Sequence, residues 1–447
     1  MAAVNSQSSS IQHTGGAFMA TALPADRRLE IFDRYRAGET LAQIARDLGI
    51  HYETARKWAR EGRRHGRARL ASRPRKHPGL LHGVPAAVTE RIKYLRNEHR
   101  SWGVTYLRQQ LLHDPTLSDE HRALIPSQAS LYRYINSIED EPFKRRLKSE
   151  VPSTPLIAQA QYPHHLWQAD LKEKNRVAGL PHQVTVLNVR DIYSSVTVGA
   201  HVFELSRNHA TLAGHQVQTA CRACFAQWGL PDRLRTDNGS CFVANAPQNG
   251  FPSHFTLWLR GLGIEHETID PGRPTQNGCV ERFNRTYDSL VLRDGPFDSL
   301  AQLKQLSAST VEFLNTSYPS RAGQCAGRPP LTAHPQAALP RRPYRPEQEP
   351  ELFDLGRVDQ YLARCRWRRR SDKVGKVSMG RADYYMGRAN AGQAYDVVFD
   401  PTDRHFVFTR ADGQSECRHP ALGLDATNIM NAQQTERIRL RDPEKAT

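Results

Sequence analysis

Apolar positions recur at helical spacing through the first third of the chain and then give way to short β-branched runs. Leu29, Ile31 and Phe32 predict an amphipathic helix ending near Gly38. Thr40 to Ile50 predicts a short second helix closed by a left-handed turn at Gly49, and a third helix runs from Tyr52. Ile44, Leu48, Ile50, Ala55 and Trp58 form the expected small core, with Ala45 permitting close helix crossing. Val88, Ile92, Leu95, Leu107 and Leu111 show helical spacing again, and Ser130 to Ile135 reads as a later helix of the same unit.

The pattern then changes. Leu166 to Leu171 reads as a short strand ending at an acid, Asp170. Val184 to Val189 and Ser195 to Val202 read as two more strands, joined as a hairpin around Asp191 and Tyr193. A helix from Asn208 to Trp228 comes next, closed by Gly229 and Pro231. Leu234 to Thr236 is a fourth strand delivering Asp237, Phe255 to Leu262 a helix, Gly263 to Thr268 a fifth strand, and a last helix begins near Thr275. Past residue 320, Pro and Arg dominate and predict a linker. Beyond it lie four further short strands: Val377–Met379, Ala382–Met386, Ala394–Asp400 and His405–Thr409.

These shifts divide the chain into a disordered leader (1–24), a helical domain (25–61), a basic linker (62–83), a second helical domain (84–138), a linker (139–160), an α/β core (161–320), a Pro/Arg-rich linker (321–352), a small β-barrel (353–425) and a tail (426–447). The fold class expected is multidomain: all-α N-terminal domains, an α/β core with a mixed sheet, and a small C-terminal barrel.

Charge sharpens the picture. Against 46 acids stand 62 Lys and Arg, a net charge of +16 and a pI near 9.7, which favours a polyanionic partner. No apolar run is long enough to span a bilayer, and no signal peptide is visible, so no membrane partner is expected. Seven cysteines without a disulfide spacing suit a reducing cytoplasm. Cys221 and Cys224 form the sole CxxC, which reads as a packed helix face rather than a zinc site.

Residues 25–61 have the spacing of a helix-turn-helix, whose third helix would present Tyr52, Arg56, Lys57 and Arg60 to the major groove. The linker arginines, among them Arg67 and Arg69, would track phosphates in an extended conformation. Arg364, Arg366, Arg368, Arg369 and Arg370, interleaved with Trp367, are a third basic cluster, at the entry to the barrel and suited to DNA.

The acids carry the chemistry. Asp170 lies in His-Leu-Trp-Gln-Ala-Asp, Asp237 in Arg-Thr-Asp-Asn-Gly, and Glu281 in Pro-Gly-Arg-Pro-Thr-Gln-Asn-Gly-Cys-Val-Glu-Arg-Phe-Asn. Hard divalent cations take oxygen ligands, and three carboxylates leave two such ions short of anionic ligands, ready to recruit a phosphodiester. Arg285, one turn beyond Glu281, shares its face, and Asn277 with Gly278 would let a DNA backbone approach. Arg282 and Asn284 are expected to point elsewhere. Asp191, His201, Glu265 and His266 read as structural.

These motifs resemble the DDE triad of integrase-type transposases and retroviral integrases, which share an RNase H-like core. The resemblance implies Asp170, Asp237 and Glu281 as catalytic metal ligands, two Mg²⁺ (or Mn²⁺) ions, 3′-end cleavage of transposon ends and strand transfer into target DNA. It further implies a homo-oligomer assembled on DNA at the bacterial nucleoid, and a C-terminal barrel like that of Mu-type transposases. One departure stands out. The 43 residues between Asp237 and Glu281 exceed the usual interval, and the surplus is expected in a surface loop over 243–252. Two rivals remain open: a phage integrase or nuclease of the same fold, and a DNA-binding regulator that no longer cuts.

Overall fold

A computed structural model describes residues 23–71, 81–138, 160–205, 212–243, 250–270, 274–380, 382–431 and 438–439. The chain divides into two units, Met1–His82 and Gly83–Thr447.

In the first unit, α1 (Ala25–Arg36), α2 (Leu41–Asp47) and α3 (Tyr52–His65) bury Ile31, Ile44, Ala45, Ala55 and Ala59 in one core, ringed by Leu48, Ile50 and Trp58. Thr40 caps α2, its hydroxyl accepting from the Gln43 N–H at 3.3 Å. Gly49 takes φ +62°, the left-handed turn the sequence requires. The expected extended linker starts differently. α3 runs on to His65, and Gly66 turns the chain into α4 (Arg67–Leu70), whose Leu70 is fully buried. A side chain at Gly62 would overlap the Phe32 ring. An apolar anchor and one small residue thus fold the first part of a segment whose arginines suggested extension. Linker residues 72–80, like the leader to residue 22 and the linker over 139–159, lie outside the described residues.

The second unit begins with α5 (Ala86–Glu98), α6 (Val104–Leu112), α7 (Asp119–Ala123) and α8 (Gln128–Ile138). Val88, Ile92, Leu95, Leu107 and Leu111 are all buried, as their spacing requires. This helical part docks on the α/β core. Tyr106 packs edge-on against Phe313, and His99 Nδ1 and Ser101 Oγ reach the Asp294 carboxylate at 2.9 and 3.1 Å.

The α/β core contains β1 (Leu166–Asn175), β2 (Val184–Asp191), β3 (Thr197–Glu204), α9 (Gly214–Trp228), β4 (Arg233–Thr236), α10 (His254–Gly261) and β5 (Glu265–Thr268). After a 3₁₀ turn at Pro274–Asn277 come α11 (Gly278–Tyr287) and α12 (Leu300–Thr316). The sheet order is β3-β2-β1-β4-β5, with β1, β2 and β3 antiparallel and β1, β4 and β5 parallel. This mixed sheet and element order are those expected of an RNase H-like core. α9 buries Val217, Cys221, Cys224 and Phe225 against Trp167, Leu187 and Val189, so the CxxC is core.

The Pro/Arg-rich stretch is a packed strap rather than a free linker. It carries α13 (Pro330–Ala333) and α14 (Glu349–Leu352). Arg342 donates to the carbonyls of Pro231, Leu262 and Gly263 at 2.8, 2.6 and 3.1 Å, and its own carbonyl accepts from Leu230 N at 2.8 Å. Buried Glu349 accepts from Arg222 at 2.7 Å and from the Trp258 indole at 3.0 Å. Proline fixes the extended turns, while Ala337 and Tyr344 supply buried contacts that composition alone concealed.

Beyond α15 (Leu355–Ala363) the strands are β6 (Trp367–Arg370), β7 (Lys376–Met379), β8 (Ala382–Tyr385), β9 (Ala394–Asp400), β10 (His405–Arg410) and β11 (Glu416–Pro420). The last elements are α16 (Ala426–Met430) and β12 (Ile438–Arg439). The strands form two sheets, β11-β10-β9-β6 and β12-β8-β7, around Tyr384, Phe406 and Phe408. Among the described strands, hydrogen bonding joins no closed ring. Phe251, at the end of the expected surface loop, is buried against Trp367 with ring centroids 5.2 Å apart, and the Trp367 indole donates to the Gly250 carbonyl at 3.2 Å. That end of the insertion is a docking element, while residues 244–249 lie outside the described residues.

Candidate active site

The two aspartates owe their proximity to register. In the parallel β1–β4 ladder Gln168 pairs with Arg235, and Asp170 and Asp237 each come two residues later, where β4 has ended. β1 itself continues to Asn175, so Asp170 lies mid-strand, opposite Asn188 of β2, and not at a strand end. Only its β4 side is left open.

Glu281 sits in the first turn of α11, a helix anchored by Val280, Phe283 and Tyr287. Gln168, itself buried, fixes the start of that helix to β1: its amide nitrogen donates to the Gln276 carbonyl at 2.7 Å and its oxygen accepts from Val280 N at 3.3 Å. Arg235, paired with Glu267 at 2.8 Å, also reaches the Gln276 carbonyl.

Electrostatics records the convergence. The Asp170 carboxyl is pushed up to about 6 by burial first, then by the charges of Asp237 and Glu281, with the Asn284 hydrogen bond opposing them. Asn284 departs from the sequence expectation that it points elsewhere. Its amide donates to Asp170 Oδ2, and its oxygen accepts from Asn188 Nδ2 at 2.6 Å. It lies three residues past Glu281, and that i, i+3 spacing was the available signal.

Asp237 is held by a buried chain behind the sheet. Gly239 N donates to its Oδ1 at 3.0 Å, and the Thr236 hydroxyl donates to its carbonyl at 2.8 Å. His266 Nε2 meets Thr236 Oγ1 at 3.0 Å and Nδ1 meets Thr256 Oγ1 at 2.9 Å. Because the Thr236 proton is already spent, Nε2 carries the ring hydrogen and Nδ1 accepts. Burial drives the His266 pKa down to about 4, so the ring is neutral and structural, as expected. Asp191 is structural too, accepting from His164 N and Ser194 N.

Among the described residues, no three His, Cys, Asp or Glu side chains stand close enough to chelate one ion as placed. The acids meet through their fields. The all-oxygen donor set and the raised Asp170 pKa are nonetheless what a hard cation would relieve.

The other expected contacts divide. On α3, Tyr52, Arg56, Lys57 and Arg60 are all exposed, Arg56 paired with Glu53 at 3.2 Å and Lys57 over the Trp58 ring. Arg67 is paired with Asp33 at 2.9 Å, and Arg69 is exposed on α4. Arg285 is exposed on α11. Asn277 is not on the surface: it is 1% exposed, and neither side-chain polar atom has a hydrogen-bond partner. The 3₁₀ turn folds it inward, so the expected backbone approach at that side chain is not available.

Two family models, each described as an integrase core domain, match residues 160–274 and 262–324, and a helix-turn-helix domain matches 27–78. The chain is 28% identical over 246 residues to an uncharacterized 39.2 kDa protein of insertion element IS476 from Xanthomonas euvesicatoria, covering 55% of this chain and 63% of that one. It is 24% identical over 233 residues to an uncharacterized protein of insertion element IS407 from Burkholderia multivorans, covering 52% and 76%. It is also 32% identical over 129 residues to the Gag-Pol polyprotein of Rous sarcoma virus, covering 29% of this chain and 7% of the polyprotein. Among solved structures, the HTLV-2 integrase catalytic core domain in complex with magnesium shares 19% identity, covers 39% of this chain and 97% of that one, and superposes with a TM-score of 0.29. Residues 160–324 thus match models of an integrase core domain, and the chain is similar there to proteins of insertion elements and to retroviral Gag-Pol polyproteins. A helix-turn-helix domain precedes these residues. No helix among the described residues is long and apolar enough to cross a membrane.

Proposed function

We propose that the protein is a DNA transposase that binds the ends of its element, frees a 3′-hydroxyl and joins it to target DNA. The observation that carries this reading is the placement of the acids: Asp170 and Asp237 each lie two residues past the Gln168–Arg235 pair, and Gln168 ties the start of the helix that carries Glu281 to the same strand. Burial and the charges of Asp237 and Glu281 raise the proton affinity of Asp170, an arrangement that costs stability and suits a site meant to hold cations. Asp170, Asp237 and Glu281 would hold two Mg²⁺ or Mn²⁺ ions, which when bound activate the attacking oxygen and stabilise the leaving one. The chain's own residues do the rest. Gln168 fixes the angle of α11 to the sheet, Asn284 orients Asp170 while keeping it ionised, and the His266 chain holds the backbone of Asp237. Arg285, exposed one turn beyond Glu281, steadies a phosphate of the bound strand.

The exposed face of α3 would read the element's ends through Arg56, Lys57, Tyr52 and Arg60, and two copies would pair the ends. A labelled oligonucleotide carrying the element end tests the first step. Metal-dependent nicking at the 3′ end is expected, and intact oligonucleotide with Mg²⁺, Mn²⁺ and chelator alike would refute it.

A further inference from the structure

Along the face of α11 that carries Cys279, Arg282 and Thr286 lies a cavity of about 940 Å³ that the metal chemistry does not use. Its walls come from the end of β2, from α11, from the end of α12 and from residues 318–324. Three guanidinium groups line it, those of Arg190, Arg282 and Arg321, and no acid does. Arg282 and Arg321 are the more accessible two, at its mouth.

Arg190 is the informative one. Its Nη2 donates to the Ser195 carbonyl and its guanidinium stacks 4.9 Å over the Phe283 ring, yet its Nε is fully buried without a hydrogen-bond partner. The neighbouring acid, Asp191, spends its oxygens on His164 and Ser194 and makes no ion pair with it. Burial accordingly pulls the Arg190 pKa down. A buried donor without a partner is costly, and the nearby Arg282 charge adds to that cost at Arg190. Such a site persists where an oxyanion completes it, since phosphate accepts from arginine in charge-assisted, often bidentate pairs. The Ser320 hydroxyl lines the cavity and adds a donor, while that of Thr286 is spent on the Arg282 carbonyl at 3.4 Å.

We propose that this cavity binds a phosphate group, with Arg190 at its floor and Arg282 and Arg321 at its mouth. The phosphate is either that of a nucleic-acid strand leaving the catalytic face or a free phosphate. The strand version rests on the proposed function; the pocket itself does not.

The test compares the full chain with the Arg282→Gln/Arg321→Gln double variant, whose positions at the mouth leave the fold intact, as an unchanged melting temperature verifies. Equilibrium dialysis with radiolabelled inorganic phosphate is the first arm, and duplex affinity against salt the second. Phosphate affinity should fall at least tenfold in the variant. A simultaneous drop in the slope of log affinity against log salt, by about 0.9 per lost contact, would assign the phosphate to DNA. Lost phosphate binding with an unchanged DNA slope would assign it to a free anion, with the pocket upheld. Equal phosphate binding by both proteins would overturn the proposal. Neither arm reads cleavage or joining, so failure of the transposase reading would appear separately, as absent strand transfer.

Discussion

Asn284 donates a hydrogen bond to Asp170 from a helix that also carries Glu281, so one element supplies both a like charge and the dipole that offsets it. Removing the dipole should leave the charge unopposed. Asn284→Ala is expected to slow catalysis by about 10–100-fold and to move the acidic limb of its pH profile upward, because Asp170 then ionises at higher pH. Asn284→Asp should be worse, adding a further negative charge beside Asp170. A pH–rate series on both variants checks this, and an unmoved acidic limb would sink the assigned role.

Asp170 and His266 oppose each other in pH linkage. A carboxyl raised from 3.8 to about 6 contributes stability below pH 4 that is lost as pH rises through 6. A histidine lowered from 6.5 to about 4 contributes stability above pH 6.5 that is lost as pH falls through 4. The two nearly offset in the metal-free protein. Asp170→Asn should therefore stabilise it at pH 7–8, on the order of 2–3 kcal/mol, and should expose the His266 slope as stability lost between pH 6.5 and 4. Denaturant melts across that range supply the measurement; parallel curves for both proteins would contradict the assigned shift.

Gln168→Leu keeps the volume at the β1–α11 junction and removes both ends of its bridge. The Val280 N–H loses the Gln168 oxygen, and the Gln276 carbonyl keeps only the longer 3.5 Å contact from Arg235. A loss of about 2–4 kcal/mol is expected, with catalysis falling further than stability alone explains, as Glu281 drifts from the aspartates. Stability and single-turnover rates measured together separate the two effects.

The exposed Arg56–Glu53 pair is worth little to the fold. Arg56→Ala should then leave the melting temperature unchanged while relaxing preference for the cognate end by about 1–3 kcal/mol. Competition binding with cognate and scrambled duplexes decides it: equal weakening on both would make Arg56 a phosphate contact.

Arg342 ties the strap to the core through three carbonyls. Arg342→Ala should cost about 2–4 kcal/mol and make the strap accessible to limited proteolysis near residues 339–345. Unchanged cleavage kinetics there would return this segment to a passive linker.

Periodicity and local motif made part of this molecule legible in its sequence. The helix-turn-helix core of Ile31, Ile44 and Ala55 could be read because burial on one helix face leaves a period, and the succession of strands and helices around Asp170 and Asp237 because β-branched runs mark the strands. The strap could not, since Pro and Arg are counted as solvated, whereas Arg342 and Glu349 are satisfied by partners far away in sequence. Asn277 and Asn284 exchanged expectations for a similar reason. Both are asparagines beside Glu281, and only the 3₁₀ turn ahead of α11 decides that Asn277 turns inward while Asn284 reaches Asp170. Phe251 likewise sits in a run of Asn, Gly and Pro, and its burial depends on Trp367, more than a hundred residues later.

Strand transfer tests the central claim most directly. A fluorescent oligonucleotide bearing the element's own end is incubated with plasmid and protein, with Mg²⁺, with Mn²⁺ or with chelator. Joined product that requires metal and vanishes in Asp237→Asn, which still binds the end, is the predicted result. Joined product from Asp237→Asn or in the presence of chelator would contradict catalysis by Asp170, Asp237 and Glu281.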